Sequence, residues 1–206
     1  MTQITAKEIQ ALRRATGVGM MDAKRALTEC EGDVERAKEL LREQGLADVK
    51  KRAGRDANQG TVGYYLHQPG GYPTVGVIVE LASETDFVAK SDDFQRMAHG
   101  LAMHIAAAQP RWVKVEDVPA AAVDKERELI AREASASGKP DAIIERIVEG
   151  KIAAYFRDNV LYEQAFIKSD DFDGKVGDMV AAMAAAMGEN IGVRRFSRIA
   201  VGEQEL

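Results

Sequence analysis

Between residues 75 and 81 the chain alternates Val75, Val77 and Val79 with Gly76, Ile78 and Glu80, reaches Leu81, and runs on into Thr85-Asp86-Phe87-Val88-Ala89-Lys90. A β-rich run of this length bounded by turn residues predicts a buried strand. The strand fixes the direction of the next segment: an acidic residue and a large aromatic side by side at the mouth of a turn, ahead of a helix start expected at Ser91. Phe87 is then either core or probe. An aromatic on a short, anchored turn enters a partner with little loss of side-chain freedom, as interface hot spots require; large aromatics also plug their own cores. The sequence leaves both uses open.

Around this strand an α+β body can be laid out. Thr61 to His67 and Thr74 to Ser83 are β-rich and are joined by Gln68-Pro69-Gly70-Gly71-Tyr72-Pro73, a set of turn formers, which predicts an antiparallel hairpin. Asn190 to Val201 places Ile191, Val193, Phe196 and Ile199 among polar residues and supplies a third strand. After Ser91, a helix with Phe94, Met97, Leu101, Ile105 and Ala108 on one face runs to Pro110. Further helices are expected from about Ala120 to Ala134, and from about Pro140 through Phe156 with Gly150 as a point of bending. Val160 to Ile167 reads equally as helix or short strand. Ser169-Asp170-Asp171-Phe172 repeats Ser91-Asp92-Asp93-Phe94 and predicts a second helix cap, with Val176, Val180, Met183 and Met187 facing inward beyond it. The helices would cover one face of an antiparallel sheet.

The first 54 residues have a different texture. Thr5-Ala6-Lys7-Glu8 has the form of a capping box, and Ile9, Leu12 and the aliphatic part of Arg13 stripe a helix that Gly17 would stop. Beyond Gly17-Val18-Gly19, a second helix places Met20, Ala23, Ala26, Leu27 and Cys30 at helical spacing up to Gly32. Asp33 caps a third, carrying Val34, Ala37, Leu40 and Leu41 until Gly45 ends it. Three short helices give residues 1–54 a small bundle, with residues 55–206 as the α+β body. So small a bundle has little core, and Met20 and Met21 are either part of it or an adaptable contact for a partner.

Charge separates the same two modules. Residues 1–55 hold 12 Lys and Arg against 9 Asp and Glu, leaving 16 against 24 for the rest of a 206-residue chain with net charge −5. A mildly basic head on an acidic body lacks the basic excess of a nucleic-acid surface. Lys50-Lys51-Arg52 reads as a solvated helix tail before a linker. No apolar run approaches the ~20 residues that span a bilayer. The start lacks a secretory pattern, and the lone Cys30 has no partner for a disulfide. A cytoplasmic protein is expected.

No chemistry of bond breaking stands out. His67, His99 and His104 are not spaced as metal ligands, no Gly-x-x-x-x-Gly-Lys loop is present, and the many carboxylates fall on helical faces where solvation explains them. No cofactor is expected, and binding is the better class of function.

The head resembles a ubiquitin-associated-like three-helix domain, and its residues from Leu12 to Leu27, Leu-Arg-Arg-Ala-Thr-Gly-Val-Gly-Met-Met-Asp-Ala-Lys-Arg-Ala-Leu, are similar to the amino-terminal signature of translation elongation factor Ts. Thr85 to Lys90 resembles that family's second signature, in the same order and between a strand and a helix. Met103-His104-Ile105-Ala106-Ala107, Val115 to Pro119, Ser137 to Pro140 and Val148 to Lys151 extend the resemblance over most of the chain, whose length is that of the family's short members without their relatives' coiled-coil insertion. The resemblance implies a guanine-nucleotide exchange factor that binds elongation factor Tu, GDP-bound and nucleotide-free, and promotes GDP release by disturbing its magnesium and phosphate site. Thr85, Asp86, Phe87 and Val88 would enter near that metal, with Phe87 as a wedge. Arg13, Val18, Met20 and Met21 would grip the nucleotide-binding domain. His104 is either a further contact or an ordinary core or surface histidine. A homodimer through the core sheet stays open: by resemblance, short members can pair through their sheet bodies, while long ones carry more of the core in one chain. The rivals are a non-catalytic adaptor whose head binds a protein, and an RNA-binding protein using Lys50 to Arg55.

Overall fold

The computed structural model of the protein describes residues 4–16, 18–136 and 140–203. They fall into two compact units, one made of those within 1–60, 82–91 and 180–192, the other of those within 61–81, 92–179 and 193–206.

In the first unit, Thr5 and Glu8 close the expected capping box: the Thr5 N–H donates to Glu8 Oε2 at 2.7 Å and the Glu8 N–H donates to Thr5 Oγ1 at 3.3 Å. Bonds from the Thr5 amide and hydroxyl also hold the Glu8 carboxyl below the usual carboxylate range. Helix α1 (Ala6–Thr16) follows; Gly17, expected to stop it, lies outside the described residues. Helix α2 (Met20–Glu29) ends as Cys30 and Gly32 return their amides to Ala26 and Leu27. Asp33 then caps α3 (Val34–Arg52) by accepting from the amides of Glu35 and Arg36. Leu12, Ala23, Ala26, Leu27, Cys30, Ala37 and Leu41 form the core of this bundle, with Ile9, Val18, Val34 and Leu40 partly buried around it.

One expectation fails here. The sequence ends α3 at Gly45, but the helix runs on to Arg52. Gly45 serves close approach instead: a Cβ built on it would lie 3.1 Å from the Cβ of Ala185. A glycine signals lost side-chain bulk as well as a stop, and the contact that separates the two uses lies far along the sequence.

Strands β1 (Gln59–His67), β2 (Val75–Ser83) and β3 (Gly192–Ala200) form one sheet in the order β1-β2-β3. The amide of Thr74 reaches the His67 carbonyl across the hairpin, and that of Val201 reaches the Thr74 carbonyl, so neighbours run antiparallel. The fold class is α+β, as expected. A one-turn helix α4 (Asp86–Ala89) follows β2, and α5 (Asp92–Ala108) then buries Phe94, Met97, Leu101 and Ile105. Gly63 of β1 lets the sheet approach α5: a Cβ there would fall 2.3 Å from the Ala98 carbonyl oxygen.

Helices α6 (Ala120–Ser135) and α7 (Asp141–Asn159) pack on each other around Ile130, Val148 and Ile152, with Arg127–Glu149 and Glu133–Lys151 pairs outside. Gly150 sits inside α7, facing open space. The ambiguous segment after α7 is neither long strand nor helix. It forms single bridges, Trp112 with Val160 and Ala165 with Lys175, around a 3-10 turn at Leu161–Glu163. Helix α8 (Val176–Met187) starts well beyond Ser169, so the second Ser-Asp-Asp-Phe is not a helix cap. There the amides of Asp171 and Phe172 turn back to the Lys168 carbonyl. Four residues do not carry a conformation by themselves; α5 begins inside the first copy, at Asp92, where Phe94 has a core to enter.

Candidate functional site

Of the residues singled out in the sequence, Arg13, Val18, Met20, Met21, Asp86, Phe87 and Val88 lie in the first compact unit and His104 in the second. Arg13 is exposed near the end of α1, and Val18 packs partly against the bundle core. Met20 and Met21 open α2 and are both exposed, Met21 by 74%. Apolar side chains of that length left in water, over a core that already closes without them, are available to a partner surface.

The turn after β2 is built to present Phe87. Thr85 is in extended conformation and caps α4, its Oγ1 accepting from the Val88 N–H at 3.4 Å. Ala89 is buried and anchors the short helix from below. Phe87 points away, 83% exposed. The two uses left open by the sequence are thereby separated: this ring fills no core. Asp86 Oδ2 accepts from Lys90 Nζ at 2.6 Å across one helical turn, and this hydrogen bond with the nearby positive charge holds its carboxyl below the usual range. The pair is exposed and contributes little to stability.

A four-residue helix does not hold its own orientation, and the support comes from the end of α8. Gly188, with φ of +72°, ends α8 and turns the chain. Glu189 then accepts from the amides of Glu84 and Thr85 at Oε2, at 3.0 and 3.1 Å, and from the Thr85 hydroxyl at Oε1, at 2.5 Å. Glu84 Oε1 accepts in return from the Asn190 N–H at 2.6 Å. Asn190 Nδ2 donates to the carbonyl of Arg55 at 2.7 Å, just past α3. Sequence reasoning missed Glu84, Glu189 and Asn190. A polar pair after a glycine reads as an ordinary turn, and nothing local points to partners about 105 residues upstream.

His104 is fully buried on α5. Its Nε2 bonds Gln164 Oε1 at 3.0 Å, the Ile167 N–H donates to its Nδ1 at 3.3 Å, and its ring stacks on Phe166. Gln164 is fixed in turn, donating through Nε2 to the carbonyls of Ala108 and Asp158. This arrangement needs a neutral imidazole with its proton on Nε2, and burial pushes the histidine's pKa down. In this conformation His104 braces the segment after Val160 and offers no atom to a partner.

Among the described residues, no three His, Cys, Asp or Glu side chains come together as metal ligands, and no helix is long and apolar enough to cross a membrane.

The family model described as elongation factor TS matches residues 47–203. The chain is 49% identical over 200 residues to elongation factor Ts of Alkaliphilus oremlandii, covering 97% of this chain and 90% of that one. It is 46% identical to elongation factor Ts of Fervidobacterium nodosum over 98% of this chain and 100% of the relative, and 46% identical to that of Geobacter sulfurreducens over 97% and 90%.

Proposed function

We propose, from a chain that belongs to the elongation factor Ts family and is thus a translation elongation factor, that it works in the cytoplasm as the guanine-nucleotide exchange factor of elongation factor Tu. The observation that carries the reading is Phe87, an aromatic left 83% exposed on a turn whose backbone is tied down. The head, residues 1–54, grips the nucleotide-binding domain through Arg13, Val18, Met20 and Met21. The body, residues 55–206, brings Thr85, Asp86, Phe87 and Val88 to the partner's magnesium and phosphate site. Phe87 wedges between elements of the partner, and Asp86, released from Lys90, competes for the polar groups around the metal. Magnesium neutralises the phosphates of bound nucleotide, so displacing it speeds GDP release. No covalent step and no cofactor of the chain's own is required. His104, buried on α5, braces the segment after Val160 within its own unit.

The magnitudes suit the task. Full burial of a Phe side chain is worth about 1.5–3 kcal/mol, and energy gained only with the empty partner weakens nucleotide binding by the same amount, about 10- to 150-fold. The coupling is reciprocal. Titration of elongation factor Tu with GDP in the presence and absence of this protein, and with this protein in the presence and absence of GDP, should give the same weakening factor in both directions. Unaltered GDP affinity under a saturating amount of this protein would remove the exchange reading in favour of the adaptor, in which residues 1–54 bind a protein partner without effect on nucleotide.

The sheet face bearing Val62, Tyr64, Leu66, Ile78 and Ile199 leaves five large apolar side chains exposed. A second copy of the chain would cover it, giving a homodimer through the core sheet.

A further inference from the structure

We propose that Glu189 is a positioning residue for exchange: its carboxylate sets the aim of Phe87 without touching the partner. The inference rests on the exchange reading above for its activity, though not for its geometry. β2 ends at Ser83, so the amides of Glu84 and Thr85 leave the sheet ladder where the chain must turn. Both donate to one oxygen of Glu189, while the other oxygen takes the Thr85 hydroxyl. The same hydroxyl oxygen accepts the Val88 amide inside α4. One carboxylate thus orients the cap, and the cap orients the single helical turn that carries Phe87.

The clamp is locked from the other side. Glu84 takes the Asn190 amide, and the Asn190 side chain reaches the carbonyl of Arg55. Ser83, fully buried, donates its hydroxyl to the Thr85 carbonyl at 3.0 Å and fixes the remaining polar group of the cap residue. Segments 83–85 and 189–190 therefore exchange side-chain-to-backbone bonds in both directions. Bonds to an ionised acceptor are about twice as strong as neutral ones, and three of them on one carboxylate make a rigid mount. By contrast, the turn's outer bond, Asp86 to Lys90, is exposed and can open for a partner. The base is rigid and the tip is free to react.

A role through Phe87 has a signature that a general loss of stability does not share. Glu189→Ala should lower the maximal rate of GDP release from elongation factor Tu about tenfold, with the half-saturating concentration changed less than threefold. In a Phe87→Ala background the same substitution should have no further effect on that rate. Glu189→Gln, which keeps one carbonyl acceptor for the two amides, should restore part of it and covers the case in which the alanine variant folds poorly. Amide exchange followed by NMR on the free protein gives a readout independent of exchange activity: the amides of Glu84 and Thr85 should lose at least tenfold protection in Glu189→Ala, while those of α5 keep theirs. Multiplicative effects of Glu189→Ala and Phe87→Ala on the release rate, or unchanged protection at Glu84 and Thr85, would overturn the proposal. If the unsubstituted protein does not accelerate release, the exchange reading fails on that result, and the two amides alone decide whether the clamp exists.

Discussion

At the scale of single residues, His104 carries a pH dependence whose sign is set by its surroundings. Burial lowers its pKa in the folded chain relative to the ordinary value of 6.5, so the unfolded chain binds the extra proton first. The stabilisation from a neutral His104 is complete above about pH 6.5 and is lost as pH falls toward the depressed folded value. Thermal unfolding should show the melting temperature dropping between pH 7 and pH 5, and His104→Gln, which cannot titrate, should flatten that drop while lowering stability at pH 7 by about 1–3 kcal/mol through broken bonds to Gln164 and Ile167. An equally steep profile for the variant would place the titrating group elsewhere. Met21 shows the opposite behaviour of an exposed residue: Met21→Ala should leave stability within about 0.5 kcal/mol and weaken binding of elongation factor Tu several-fold by calorimetry. The sequence marked Met21 and Phe87 by type and context, yet their exposure depends on cores that close without them. Glu189 had no local mark at all, since its meaning lies in amides about 105 residues away.

Among elements, the glycines divide by what surrounds them. A Cβ at Gly63 would overlap the Ala98 carbonyl at 2.3 Å, while one at Gly150 meets nothing within 4 Å. Gly63→Ala should therefore destabilise the fold by about 1–3 kcal/mol or more, and Gly150→Ala should stabilise it by about 0.4–1 kcal/mol, chiefly through the unfolded chain; chemical denaturation measures both. Elements with strong local signals were legible. The Thr5-to-Glu8 capping box, the Asp33 cap, the hairpin around Pro69 to Pro73 and the α5 stripe all stand where the sequence puts them. The failures share one cause. Gly45 was read as a stop and Ser169 as a cap because the signals are local, whereas a contact with Ala185 decides the first and a turn onto Lys168 the second.

For the molecule as a whole, the α+β class came from strand and helix periodicity, while the compact units, which join residues 82–91 and 180–192 to the first 60, follow contacts that no charge count along the chain displays. The exposed sheet face around Tyr64 and Ile78 makes the association state a prediction. Sedimentation equilibrium should give twice the 22.5 kDa of one chain, and Ile78→Lys, a surface change, should return the single-chain mass without unfolding. A single-chain mass for the unsubstituted protein at every concentration would remove the dimer. The exchange reading stands or falls on whether the chain opens its partner's nucleotide site with Phe87. Stopped-flow release of a fluorescent GDP from elongation factor Tu decides this, with the unsubstituted protein and with Phe87→Ala, whose exposed ring contributes no core to lose. Strong acceleration by the protein is expected, with a loss of about tenfold or more in the variant and melting temperatures alike. Equal acceleration by both folded proteins would rule out Phe87 as the wedge.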